Sequence, residues 1–120
     1  MRQVTSKGSA KAFFLDRDVV LNRLRGAAQE ALRLFPEVTE VLLFGSLADD
    51  THTGLSDIDL AVVLAAPSAD ADPLERARPF HRYFHQRLPL GVDILVFDET
   101  ERPGMQSFLH NAITLAARKK

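Results

Sequence analysis

Apolar positions along the chain separate six helical or extended stretches from polar connections. Val20, Leu24, Ala27, Ala31 and Leu34 recur at helical spacing and predict a helix over residues 16–35. Asp16 suits its N-cap, Leu15 and Val20 a hydrophobic staple, and Pro36 its stop. Residues 38–44 carry the run Val41-Leu42-Leu43-Phe44, which predicts a strand covered on both faces. A second such run predicts a strand over 58–64. Asp72, Pro73 and Glu75 form a helix start signal, and Leu74, Ala77, Phe80, Phe84 and Leu88 mark the buried face that follows. Pro79 inside that stretch predicts a kink or two short helices. A third strand is expected over 92–97. Met105, Phe108, Leu109, Ala112, Ile113 and Ala116 then predict a last helix after Pro103. Arg118, Lys119 and Lys120 would face that helix's negative C-terminal end.

This order predicts an α/β (α+β) fold: a small mixed sheet of about three strands with helices packed against it. Residues 1–12 read as a flexible polar tail, and 13–120 as a single domain. Hydrophobic residues at 46% and charged residues at 26% are ordinary globular values and exclude disorder as a class. A formal charge of −1 argues against a uniformly basic surface for duplex nucleic acid. The absence of cysteine excludes disulfides, thiolate zinc sites and cysteine nucleophiles. No apolar run reaches the roughly 18 residues of a membrane span, and the first eleven residues lack a signal-peptide core, so a cytoplasmic location is expected.

Three features carry chemistry. Gly45-Ser46 follows a buried strand. Glycine permits close approach to the backbone, and a turn beginning at Ser46 can present N–H groups to phosphate. The same pair also reads as a strand-ending turn with a serine cap. Asp57 and Asp59 lie two apart at a strand start, both on one face and roughly 6.5–7 Å apart, which suits oxygen ligation of Mg²⁺. Without a cation they read as a polar strand entry. Asp93 interrupts the third apolar strand. It either is solvated beside Gly91 or, if the third strand neighbours the second at about 4.8 Å, completes a three-carboxylate cluster. His81 and His85, at i,i+4, lack a third zinc ligand in the sequence and read as helix-surface residues. Tyr83, Arg82 and Arg87 are candidates for a partner surface.

Gly-Ser, ten residues, then Asp-x-Asp arises by chance in about one chain of this length in a thousand. The combination resembles the minimal nucleotidyltransferases of the DNA polymerase β-like superfamily, over about residues 38–97. The resemblance implies that fold, with Gly45 and Ser46 holding a triphosphate. Ser56, in the matching run Ser56-Asp57-Ile58-Asp59-Leu60, joins them at the nucleotide. It further implies that Asp57, Asp59 and Asp93 bind two Mg²⁺ ions and form the catalytic set, with ATP as substrate. Minimal members are commonly antitoxins paired with a HEPN-domain toxin, and some transfer AMP to a tyrosine of that toxin to silence its RNase activity. By resemblance, then, this chain is expected to be a protein adenylyltransferase whose acceptor is presented by another protein, in a homodimer or hetero-oligomer. Asp49 and Asp50 stand where family members often carry a basic residue and a glycine, and should weaken triphosphate binding. They favour an alternative, a binding module that neutralises its partner by occlusion. A domain that senses metal or nucleotide without transfer is the third reading.

Overall fold

The computed structural model describes residues 17–45, 58–67, 72–88 and 91–118. The expected N-terminal tail and the Asp16 cap lie outside these residues. In chain order the elements are α1 (Arg17–Leu34), β1 (Val38–Phe44), β2 (Ile58–Leu64), α2 (Pro73–Arg87), β3 (Val92–Asp98), a 3₁₀ turn (Arg102–Met105) and β4 (Ile113–Ala117). They build one mixed sheet in the order β3-β2-β1-β4. β1 runs antiparallel to both β2 and β4, while β2 and β3 are parallel and joined through α2. No helix among the described residues is long and apolar enough to cross a membrane.

Strand alternation sorts the core into two layers. Val41, Leu43, Leu60, Val62 and Val96 face the helices and pack with Val20 and Leu24 of α1 and Phe80 and Phe84 of α2. On the other sheet face, Leu42, Ala61, Val63 and Phe97 are covered by Met105, Leu109 and Ala112. Both faces are therefore buried, which is why β1 and β2 read as continuous apolar runs rather than alternating ones.

The start of α2 follows its sequence signal: the Asp72 carboxylate accepts from the Leu74 N–H at 3.0 Å, with Pro73 in the first turn. Pro79 does not divide the helix, which continues unbroken to Arg87. Glu75 and Pro79 are both exposed, so the carbonyl that loses its donor lies where water can replace it. Three expected core positions are displaced: Leu34 is 49% exposed at the end of α1, Leu74 is 77% exposed, and Phe108 is 57% exposed. Tyr83 is buried instead, and its hydroxyl donates to the Ala27 carbonyl of α1 at 2.6 Å.

The expected last helix is not formed. Met105, Leu109 and Ala112 pack on the sheet from the 3₁₀ turn and the turns after it, and residues 113–117 form a fourth strand. The edge of β1 decides this: it offers a row of backbone donors and acceptors, and Ile113 and Thr114 have the β-branched shape that fits a strand. Arg118 still serves a helix C-terminus, but that of α1. Its guanidinium donates to the carbonyls of Leu32 (2.7 Å), Phe35 (3.4 Å) and Val38 (2.8 Å).

Candidate active site

β1 ends where β2 and β3 begin, and the sequence places chemistry at those three points. Gly45 follows Phe44 with φ of +78°, a conformation that disfavours any residue with a Cβ. Space enforces the same choice. A Cβ on Gly45 would lie 2.2 Å from Oδ2 of Asp59 and 3.0 Å from its Cγ. The Asp59 carboxylate therefore lies against the glycine backbone, a consequence of the antiparallel pairing of Phe44 with Asp59.

Asp59 in turn pairs with Asp93 across the parallel β2–β3 ladder. Neighbouring strands lie about 4.8 Å apart, and residues paired in a parallel ladder project from the same face. That face is the one carrying Ala61, Val63 and Phe97, so both aspartates lie one step beyond the apolar patch covered by residues 105–112. Asp93 is exposed and Asp59 half-buried. The expected juxtaposition of the second and third strands is thus present, and it places two carboxylates side by side. Like charges so placed repel unless a cation lies between them. Ser46, Ser56 and Asp57, the other expected site residues, lie outside the described residues. Among the described residues, no group of three His, Asp or Glu side chains could hold a metal ion.

The donor set suits a hard divalent cation. Carboxylate oxygens are the ligands Mg²⁺ prefers, usually completed by water and substrate phosphate. The absence of a Cβ on Gly45 is what lets the Asp59 carboxylate occupy that position against the backbone.

Other candidate residues resolve differently. His81 and His85 stack with ring centroids 5.7 Å apart on the exposed side of α2. Tyr83 is a core residue rather than a surface one, and the guanidinium of the exposed Arg87 lies over its ring at 3.9 Å. No local pattern marked the buried Asp98 at the far end of β3. Its Oδ1 accepts from the Thr100 hydroxyl and from the N–H groups of Thr100 and Glu101. These bonds, that of the Thr100 hydroxyl foremost, hold its carboxyl below the usual range. It caps a turn and lies away from the paired aspartates.

Comparison with known proteins agrees with this fold. Residues 24–116 match the family model described as the nucleotidyltransferase domain. The whole chain superposes on 96% of a Sulfolobus solfataricus protein assigned as a nucleotidyltransferase, with TM-score 0.67 and 21% identity. A toxin–antitoxin structure with AMP-PNP matches 82% of this chain and 74% of its own, with TM-score 0.52 and 21% identity. A point mutant of the toxin–antitoxin pair MntA–HpeT matches 76% of this chain and 69% of its own, with TM-score 0.51 and 22% identity. At such identities the likeness establishes the fold. No curated protein matches the sequence.

Proposed function

The chain belongs to the nucleotidyltransferase-domain family, and from that premise we propose that it transfers AMP from ATP to a hydroxyl of a partner protein. The observation that carries this reading is the placement of Gly45, Asp59 and Asp93 at adjoining strand ends. In the proposed site, Asp57, Asp59 and Asp93 hold the pair of Mg²⁺ ions. Mg²⁺, when bound, neutralises the triphosphate and the departing pyrophosphate. Gly45 lets the Asp59 carboxylate lie against the backbone, and in this reading Ser46 and Ser56 donate to the triphosphate. Asp93, exposed beside Asp59, accepts the proton of the acceptor hydroxyl. The acceptor oxygen then attacks the α-phosphorus, the bond to the bridging oxygen breaks, and pyrophosphate leaves.

The acceptor we propose is a HEPN-domain toxin, with this chain as its cytoplasmic antitoxin in a hetero-oligomer. Two of the structural neighbours being toxin–antitoxin complexes, one with an ATP analogue, supports this. The test is the intact mass of the protein encoded by the adjacent gene after incubation with this protein, ATP and Mg²⁺. An added AMP mass, lost with Asp59→Asn and Asp93→Asn, is the expected result. An unchanged mass refutes transfer to that protein.

Asp49 and Asp50 favour a second reading, in which the fold neutralises its partner by occlusion. Under it the complex forms, the mass stays unchanged, and Asp59→Asn still neutralises.

A further inference from the structure

Among the described residues β3 lies at the end of the sheet, and one of its sides has no neighbouring strand. Two hydrogen bonds fix which of its residues face that side. The Ile58 N–H donates to the Gly91 carbonyl, and the Glu99 N–H to the Leu64 carbonyl. Odd-numbered residues of this stretch therefore bond to β2, and by alternation Val92, Ile94, Val96 and Asp98 turn their N–H and C=O groups outward. The far half of this edge is already closed. Arg76 Nη2 donates to the Val96 carbonyl at 3.0 Å, and the Asp98 N–H donates to Glu101 at 3.0 Å. Among the described residues nothing pairs with the outward groups of Val92 and Ile94.

The open half borders a groove of about 580 Å³ between α2 and β3. Its apolar surface comes from Leu74, Ala77 and Ile94, and Leu74 is 77% exposed. The side formed by α2 is basic. Arg78 is engaged by Glu75 at 2.9 Å, whereas Arg82 has no ion-pair partner among the described residues. His81 and His85 add donors, and Asp93 is the acid among the lining residues. From Leu74 to His85 the helix rises about 16 Å, the length of about five residues of extended chain.

We propose that this groove docks an extended, acidic segment of a partner protein, which adds to the sheet at Val92 and Ile94 and lays acidic side chains against Arg82 and Arg78. Backbone pairing gives the affinity, and the basic face gives the choice of partner. Arg76 stops the added strand at Val96, so the segment is confined to the half of β3 that contains Asp93. Docking itself rests on the edge and the groove. Only its consequence, a partner hydroxyl carried to Asp93, rests on the transferase reading, so a binding measurement separates the two.

The probe is a short fluorescent peptide of alternating Glu and Val, with a Lys-for-Glu counterpart as control, measured by anisotropy and by amide hydrogen exchange. The Glu peptide should bind at least about tenfold more tightly than the Lys peptide, a difference of about 1.4 kcal/mol. Val92 and Ile94 amides should gain protection. Arg82→Glu, on the exposed helix face, should reverse the preference. Ile94→Pro removes an outward donor, a change edge strands tolerate, together with the Ile94 side chain that lines the groove, and should abolish binding by both peptides. Equal binding of the two peptides, protection elsewhere, or indifference to Arg82→Glu in a variant with an unchanged melt would overturn the proposal. So would binding of a single-stranded RNA oligonucleotide at this groove without the Glu peptide.

Discussion

Gly45→Ala tests the geometry of the candidate site without reference to any ligand. The added Cβ meets two costs. At φ of +78° an alanine is strained by about 1 kcal/mol. It also needs the space held by Asp59 Oδ2, 2.2 Å from the new atom. Turning that carboxylate off its rotamer adds about 1 kcal/mol, and the Asp59 Cβ at 3.3 Å leaves little slack in the backbone. Together these predict a loss of about 2–3 kcal/mol, which lowers the urea midpoint by about 1 M. The chain has no tryptophan, so far-UV circular dichroism is the suitable probe. The decisive comparison is a double-mutant cycle with Asp59→Ala. That background removes Oδ2 and Cγ, leaving the backbone strain and the 3.3 Å contact with the Cβ of residue 59, so Gly45→Ala should then cost about 1 kcal/mol less. Additive effects would show that the Asp59 carboxylate does not lie against Gly45, and the site geometry would fall with it.

Other perturbations reach the remaining parts of the argument. Mg²⁺ should raise the melting temperature by about 4 °C for each 1 kcal/mol of binding, and Asp59→Asn and Asp93→Asn should each abolish the rise in a thermal melt. Phe84→Ala, at a side chain fully buried under the sheet, should cost about 3–5 kcal/mol in urea unfolding. Arg118→Ala frees the carbonyls at the end of α1 and should cost about 1 kcal/mol, with hydrogen exchange rising at the last turn of α1 and along β4. The Asp98 carboxyl is held below its unfolded value of about 4, so its stabilisation is present above that pH and is lost as pH falls through the folded value. Asp98→Asn keeps an acceptor for Thr100 and should flatten that acid limb of the stability profile.

The fold was most legible where a signal is local. The bounds of β1 and β2 and the Asp72 cap of α2 follow from contiguous residues, because an apolar run buried on both faces and a capping carboxylate act within a few positions. Leu74 and Tyr83 were exchanged between surface and core because helical spacing leaves the edge of a buried stripe undefined. Only α1, packed beside Tyr83, selects it through the Ala27 carbonyl.

Residues 113–117 mark the boundary of what sequence alone determined. Their apolar spacing with Met105 and Leu109 fits a helix, and nothing nearby in the chain opposes one. The strand forms because β1, some 75 residues earlier, presents an unsatisfied edge, and satisfying that row of backbone groups outweighs a local preference. The site follows the same division. The sequence supplied the glycine and the aspartates. Their meeting depends on the register that pairs Asp59 with Phe44 on one side and Asp93 on the other, and register is set by the packing of whole strands.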